Sequence, residues 1–324
     1  MEHIIIIGAG PCGLSAAVEL KRRGFDPLII EKGAIVESIY RYPTFLHFHS
    51  TPERLEIGDV PFTTPNEKPT RLEGLTYYRM VAQREKIRIH LYETVTSVRK
   101  VEGLFQLETT DRFGEVKSYE SRAVIVATGY FDQPNRLNVP GEDLPHVSHY
   151  FQEAHPYAGL KVVVVGGNNS AVDAALELER VGADVTVVYR GEVLSPYVKS
   201  WVKPLFESSI DKGNIEMHFS TQITKITERT VHLVTREREW SLAADFVLAL
   251  TGFRPDRVLL QSSGVQVNEE TGAPAHDPET FETNVPNLFI AGVIAAGSRA
   301  NEIFIENGRF HGKAIADVLT KRWN

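Results

Sequence analysis

Four consecutive isoleucines, Ile4 to Ile7, run straight into Gly8, Gly10 and Gly13 in the stretch HIIIIGAGPCG. An apolar β-branched run with no polar alternation reads as a strand buried on both faces of a parallel sheet. The glycines that follow have dinucleotide-fingerprint spacing. Gly8 permits a tight turn, Gly10 lets backbone approach a pyrophosphate, and Gly13 lets the next helix pack close to the strand. That helix, over about Leu14 to Arg23, would turn its N-terminal amides toward phosphates. Pro11 lies in the same loop and is grouped with the cofactor contacts. A second buried strand, Pro27 to Ile30, ends in Glu31, placed to accept from a ribose hydroxyl, with Lys32 beside it.

The pattern restarts at Lys161 to Val165, followed by Gly166, Gly167, Asn168, Asn169, Ser170 and Ala171. Asn168 stands where the fingerprint has its middle glycine, and asparagine tolerates unusual backbone angles better than most residues. A helix over Ser170 to Val181 and a strand over Asp184 to Tyr189 complete the repeat. Where the first repeat has Glu31, the second has Tyr189-Arg190. An arginine there suits a 2′-phosphate, so this loop reads as an NADPH site with Gly167, Asn168, Asn169, Ser170, Tyr189 and Arg190 as contacts. Two such loops imply an α/β chain of two Rossmann-like three-layer dinucleotide-binding domains. The second is expected to be inserted into a discontinuous first: residues 1–133 and 259–324 around 134–258. With NADPH in the second, FAD is the simplest occupant of the first, and the reaction is electron transfer between them.

Between the repeats, Val36 to Arg71 is a long connection carrying Tyr40, Tyr42, Phe45, His47, Phe48 and His49. It is expected to line or cover a ligand; the two histidines lack further ligands at metal spacing. A helix over Tyr77 to Glu85 precedes strands over Ile87–Leu91, Val95–Val101, Phe105–Thr109 and Val116–Tyr119, an antiparallel meander. Val95 is grouped with the cofactor contacts. Ala123 to Ala127 is a further buried strand ending in Thr128 and Gly129, small residues suited to close nucleotide approach. In the second domain, Ile215–Phe219, Ile223–Thr227, Thr230–Val234 and Phe246–Leu250 read as strands, and Leu250-Thr251-Gly252 as the return, with Gly252 near cofactor. The last strand, Asn287–Ala291, runs into Gly292 and Val293. A closing helix is expected from about Asn301 to Leu319; by analogy with proteins of this architecture its N-terminus is expected to be aimed at the flavin, where its dipole would stabilise negative charge.

The net charge of −7 over 324 residues gives no nucleic-acid footprint. The longest early apolar run is too short to span a bilayer, and no signal-peptide pattern precedes it, so a cytoplasmic enzyme is expected. One cysteine, Cys12, excludes an internal disulfide and a cysteine-rich metal site.

The order GAGPCG, EK, ATG, GGNNSA, YRG, LTGFRP and NLFIAG resembles low-molecular-weight thioredoxin reductase over nearly the whole chain, yet no C-x-x-C is present. The stretches GPCGLSAA, EKGAIVESIYRYPTF, LEIGDVPF, HYFQEAHPY, VVGGNNSAVDAALELE, SPYVKSWVKP and AGVIAAGSRANEIFIENGRFHG resemble the YpdA-type bacillithiol-disulfide reductase family. That resemblance implies NADPH-dependent, FAD-mediated reduction of a small-molecule disulfide, with Cys12 taking part through a mixed disulfide. The helix N-terminus would lower the Cys12 pKa; a nearby pyrophosphate would oppose this, and a small apolar filler is the plain alternative reading. Val293 departs from the wider group, which has an aspartate there for the flavin ribityl chain. A dimer or higher homo-oligomer is the expectation by analogy. The competing readings are a ferredoxin or flavodoxin reductase, which needs no cysteine, and a redox-sensing protein that holds nucleotides without turnover. A flavin monooxygenase is disfavoured, because His146 sits one residue too far from Gly141.

Overall fold

The unbroken isoleucine run feeds two cores at once. Ile4 and Ile6 pack with Leu14, Val18, Tyr78, Ile315 and Leu319 on one face of a sheet. Ile5 and Ile7 pack with Phe105, Leu107, Leu260 and Ile294 on the other. Each fully buried isoleucine contributes roughly 1.5–3 kcal/mol, so the run needs no polar face.

The computed structural model describes residues 1–299 and 302–323. The chain forms two compact units, 1–133 with 254–324, and 134–253. The second boundary falls at Phe253, ahead of the expected residue 258.

In chain order the first unit contributes β1 (Glu2–Ile7), α1 (Pro11–Arg22), β2 (Leu28–Glu31), α2 (Glu37–Tyr40), α3 (Pro52–Leu55) and α4 (Arg71–Arg84). It continues with β3 (Arg88–Leu91), β4 (Glu93–Val101), β5 (Leu104–Asp111) and β6 (Val116–Val126). The second unit supplies β7 (Val147–Ser148), β8 (Lys161–Val165), α5 (Asn169–Arg180), β9 (Asp184–Val188), α6 (Lys203–Asp211) and β10 (Ile215–His218). Then come β11 (Gln222–Ile226), β12 (Thr230–Val234), β13 (Glu239–Ala243) and β14 (Phe246–Ala249). The chain returns to the first unit with α7 (Arg257–Ser262), β15 (Leu288–Ile290), α8 (Ile305–Gly308) and α9 (His311–Trp323).

The first unit is built on one sheet, ordered β3-β2-β1-β6-β5-β4, with β15 also paired to β6. Strand β6 corrects the expectation of two separate strands. Its early residues pair antiparallel with β5, and its later ones pair parallel with β1 and β15. The polar break at Ser121 does not end it, because the buried hydroxyl donates to the Ala123 carbonyl. The helix expected from Tyr77 begins earlier, at Arg71. Thr70 and Glu73 form a capping box there, each side chain bonded to the other's backbone N–H.

The single closing helix expected over Asn301–Leu319 is instead two, α8 and α9, and Asn301 lies outside the described residues. The break has a packing reason. A side chain on Gly308 would meet Cys12 Sγ at 2.9 Å, and Gly312 lies against the Ala16 backbone, so the chain here is pressed onto α1. Ser15 fixes the step by donating its hydroxyl to the Arg309 carbonyl, 2.7 Å away.

In the second unit β10-β9-β8-β14-β7 form an all-parallel sheet, and β11-β12-β13 form an antiparallel one. Among the described residues no helix is long and apolar enough to cross a membrane.

Candidate active site and its dinucleotide loops

At the C-terminal end of β1 the glycines divide their work as spacing predicts. Gly8 has φ +108°, and a methyl there would stand 2.6 Å from the Ala127 carbonyl oxygen. A methyl on Gly13 would overlap the Gly8 carbonyl oxygen. Loop, helix and the end of β6 are therefore closed on one another. Gly10 differs: a methyl there meets nothing within 4 Å. That position faces open space above the N-terminus of α1, the place a phosphate group would occupy.

Glu31 is buried at the end of β2, beside this loop. One carboxylate oxygen accepts from the Ala9 amide at 2.6 Å and the other from the Gly33 amide at 2.8 Å. Burial raises its pKa above the usual carboxylate value, and the two amides work against that shift. Each oxygen keeps a lone pair for a further donor. The opposite side of the Ala9 peptide is held by the Val36 amide, 3.1 Å from the Ala9 carbonyl oxygen. Val36 adopts φ +50°, which a β-branched residue rarely tolerates, so the packing here over-determines its backbone. Lys32 is exposed and pairs with Asp132 at 2.6 Å; Arg41 pairs with the same carboxylate at 2.7 Å. Thr128 and Gly129 are half-buried just past β6. Val95 sits at a β-bulge and packs into the second face's core.

Cys12 occupies the first turn of α1 with part of its surface open. Its sulfur is walled by glycines: a methyl on Gly292 would stand 2.9 Å from Sγ, the same distance as one on Gly308. Burial pushes the thiol up to about 12, the reverse of the helix-dipole expectation. Desolvation of the sulfur is the cause of the shift.

Gly292 itself has φ +82° and ψ −158°, a region open essentially to glycine alone. Its amide donates to Nδ1 of His311 at 3.2 Å. His311 is buried and stacks on Phe281 with ring centroids 3.8 Å apart. Burial, with a smaller contribution from His276, lowers its pKa to about 4, so the ring is neutral and accepts through Nδ1. The sequence gives no signal for His311, since one histidine at the start of an amphipathic helix has nothing to mark it. Val293 follows Gly292 and opens a short 3-10 turn. His47, far from any such role, is exposed, with Nδ1 3.2 Å from the Phe45 carbonyl oxygen. Among the described residues no three metal-ligating side chains cluster.

The second loop lies at the end of β8. Asn168 has an extended backbone, so no special tolerance is used there; its side chain accepts from the Asn169 amide as the N-cap of α5. A methyl on Gly167 would run into the Tyr189 ring, which fixes Tyr189 over the loop. Ser170 and Arg190 are exposed. Gly252 accepts from the Asn135 amide at 2.9 Å beside the unit boundary.

Two sheets with parallel strands at their centre, each with a glycine loop and helix N-terminus at the end of a long buried strand, are the architecture of a protein with two dinucleotide-binding domains. The chain belongs to the pyridine nucleotide-disulphide oxidoreductase family, whose model matches residues 5–292. It is 53% identical over 325 aligned residues to bacilliredoxin reductase Bdr of Bacillus subtilis, covering 100% of this chain and 99% of that one. The solved structure of bacillithiol disulfide reductase Bdr (YpdA) from Bacillus cereus is similar at TM-score 0.98 and 52% identity, covering 99% of both chains. That of Bdr (YpdA) from Staphylococcus aureus is similar at TM-score 0.95 and 48% identity, covering 100% of this chain and 99% of the other. The protein is thus a flavoprotein disulfide reductase. FAD and NAD(P)H are the cofactors the family implies, and the open face of Gly10 and the loop-facing carboxylate of Glu31 fit a bound dinucleotide.

Proposed function

We propose that this chain reduces bacillithiol disulfide with NADPH, through FAD held in the first unit. The observation that carries the reading is full-length likeness to bacillithiol disulfide reductases, with a lone cysteine in the first glycine loop. Overall, one NADPH and one proton convert one disulfide to two thiols, and bound FAD relays the electron pair.

The chain's own residues have definite roles in this reaction. Gly10 leaves room for the FAD pyrophosphate, α1 offers its amides, and Glu31 accepts from the adenosine ribose. Gly8, Pro11, Gly13, Lys32, Val95, Thr128, Gly129, Gly292 and Val293 complete the FAD contacts. Gly167, Asn168, Ser170, Tyr189, Arg190 and Gly252 serve NADPH, with Arg190 on its 2′-phosphate, and Asn169 shapes the site through the chain it holds rather than by touching the nucleotide.

Cys12 is the residue assigned to the disulfide. Its thiolate attacks one sulfur, a new S–S bond forms, and one bacillithiol leaves as thiolate. An electron pair originating in NADPH then cleaves the mixed disulfide, and proton uptake restores the Cys12 thiol and frees the second bacillithiol. Burial favours the Cys12 thiol over its thiolate, so the attack requires its proton to be lost first.

The test is Cys12→Ala. The variant should keep bound FAD and lose NADPH-linked reduction of bacillithiol disulfide by at least about 100-fold, the scale of removing an activated nucleophile. Full turnover by the yellow variant would leave Cys12 without a catalytic role.

A further inference from the structure

The second glycine loop carries a lid of chain that the fingerprint does not require. After Arg190 the chain does not leave the nucleotide end of the sheet; it folds back over the loop. Ser195 donates its amide to the Gly167 carbonyl at 3.1 Å. Asn169, at the start of α5, spends its side chain on the same segment: Oδ1 accepts from the Lys199 amide at 3.0 Å and Nδ2 donates to the Tyr197 carbonyl at 2.9 Å. Leu194 and Val198 are buried beneath, and Tyr197 donates its amide to Ser195 Oγ at 3.3 Å. These contacts pin residues 194–199 to the glycine loop and the first turn of α5.

The pinned segment brings a cation with it. The Lys199 ammonium lies 5.1 Å from the Trp201 ring centroid. It also lies near enough to Asp173 on α5 to oppose the burial that pushes that carboxyl up to about 6. The Lys199 amide is bonded to Asn169, the first residue of α5, so the residue itself sits at the helix end that presents unpaired amides. A cation beside such an end concentrates positive potential where a bridging pyrophosphate would lie.

We propose that residues 194–199 form a wall of the second dinucleotide site, that Lys199 binds the nucleotide pyrophosphate, and that Asn169 is a positioning residue that holds Lys199 there. This rests on the reading of the second loop as the NADPH site. The pyrophosphate is common to NADP⁺ and NAD⁺, whereas the 2′-phosphate assigned to Arg190 belongs to NADP⁺ alone. The two cations therefore have different signatures.

The experiment is calorimetric titration of the FAD-loaded protein with NADP⁺ and, separately, NAD⁺, neither of which allows turnover. Lys199→Gln should weaken both by a similar factor of about 10, the loss of one charge-assisted contact. Arg190→Gln should weaken NADP⁺ by about as much and leave NAD⁺ unchanged. Asn169→Ala should weaken both nucleotides, and the Asn169→Ala, Lys199→Gln double variant should be no weaker than the worse single. Unchanged affinities in Lys199→Gln, or a loss confined to NADP⁺, would overturn the pyrophosphate assignment while wild-type binding upholds the site itself. Additive losses in the double variant would overturn the positioning role of Asn169. A wild-type protein that takes up neither nucleotide would overturn the reading of the loop and this inference together.

Discussion

Gly10→Ala separates the fold of the first loop from its use. Gly10 is the N-cap of α1 with φ −70° and ψ 172°, angles that alanine adopts without strain. The added methyl meets no protein atom within 4 Å. Two small effects on stability then oppose one another. Replacing glycine stiffens the unfolded chain, worth about 0.4–1 kcal/mol in favour of folding. Alanine is a poorer N-cap than glycine by a similar amount, about 0.5–1 kcal/mol. The net change in the cofactor-free protein is therefore within about 1 kcal/mol, or roughly 2–4 °C in Tm. Under the proposed function cofactor binding has no such compensation, because the methyl would fill the open space assigned to the FAD pyrophosphate. An overlap of that kind costs about 1–3 kcal/mol, which weakens FAD by roughly 5- to 150-fold. Gly13→Ala should behave in the opposite way, since its methyl overlaps the Gly8 carbonyl and unseats α1 from the loop. The assay is thermal unfolding of the apoprotein paired with FAD titration by flavin fluorescence. A Gly10→Ala protein that binds FAD as tightly as wild type would refute this division of roles in the loop, and so would one whose apoprotein unfolds many degrees early.

Thr70→Ala removes the side-chain half of the α4 capping box and should cost about 1 kcal/mol, read as a Tm lower by about 2–4 °C. His311 holds its proton only below about pH 4, whereas an ordinary histidine takes it up near 6.5. Between those values the unfolded chain binds more protons, so stability should fall as pH drops through that window, by up to roughly 3 kcal/mol. Asn in place of His311 keeps an acceptor for the Gly292 amide without titrating. Denaturant unfolding of His311→Asn should show a flatter pH profile there than wild type, and identical profiles would count against the buried-imidazole argument.

The stretch from β1 to Glu31 is legible because each residue type answers to a local demand. Isoleucines fill two cores, glycines allow a turn and close packing, and an acid closes a strand. The second repeat is legible for the same reason. What the sequence hides depends on tertiary partners. The join of Val116–Tyr119 with Ala123–Ala127 depends on Ser121 being satisfied within its own strand. The break between α8 and α9 depends on Cys12, almost three hundred residues away in sequence, lying against Gly308. Strand β13 is masked by charged neighbours, and the two-residue β7 is too short to leave a periodic signal. The Thr70–Glu73 box is readable from sequence, three residues apart before an amphipathic run. The candidate site divides likewise: the loop residues follow from spacing, but the upward shift of the Cys12 thiol and the His311–Gly292 bond arise only from packing.

The most direct measurement is an anaerobic titration of the purified protein with NADPH in the presence of bacillithiol disulfide, following flavin absorbance, NADPH and free thiol together. The proposed function predicts a yellow protein that bleaches on adding NADPH, recovers its colour on adding the disulfide, and releases two thiols for each NADPH consumed. A colourless protein, or a flavin that bleaches and stays bleached while the disulfide is untouched, would contradict it.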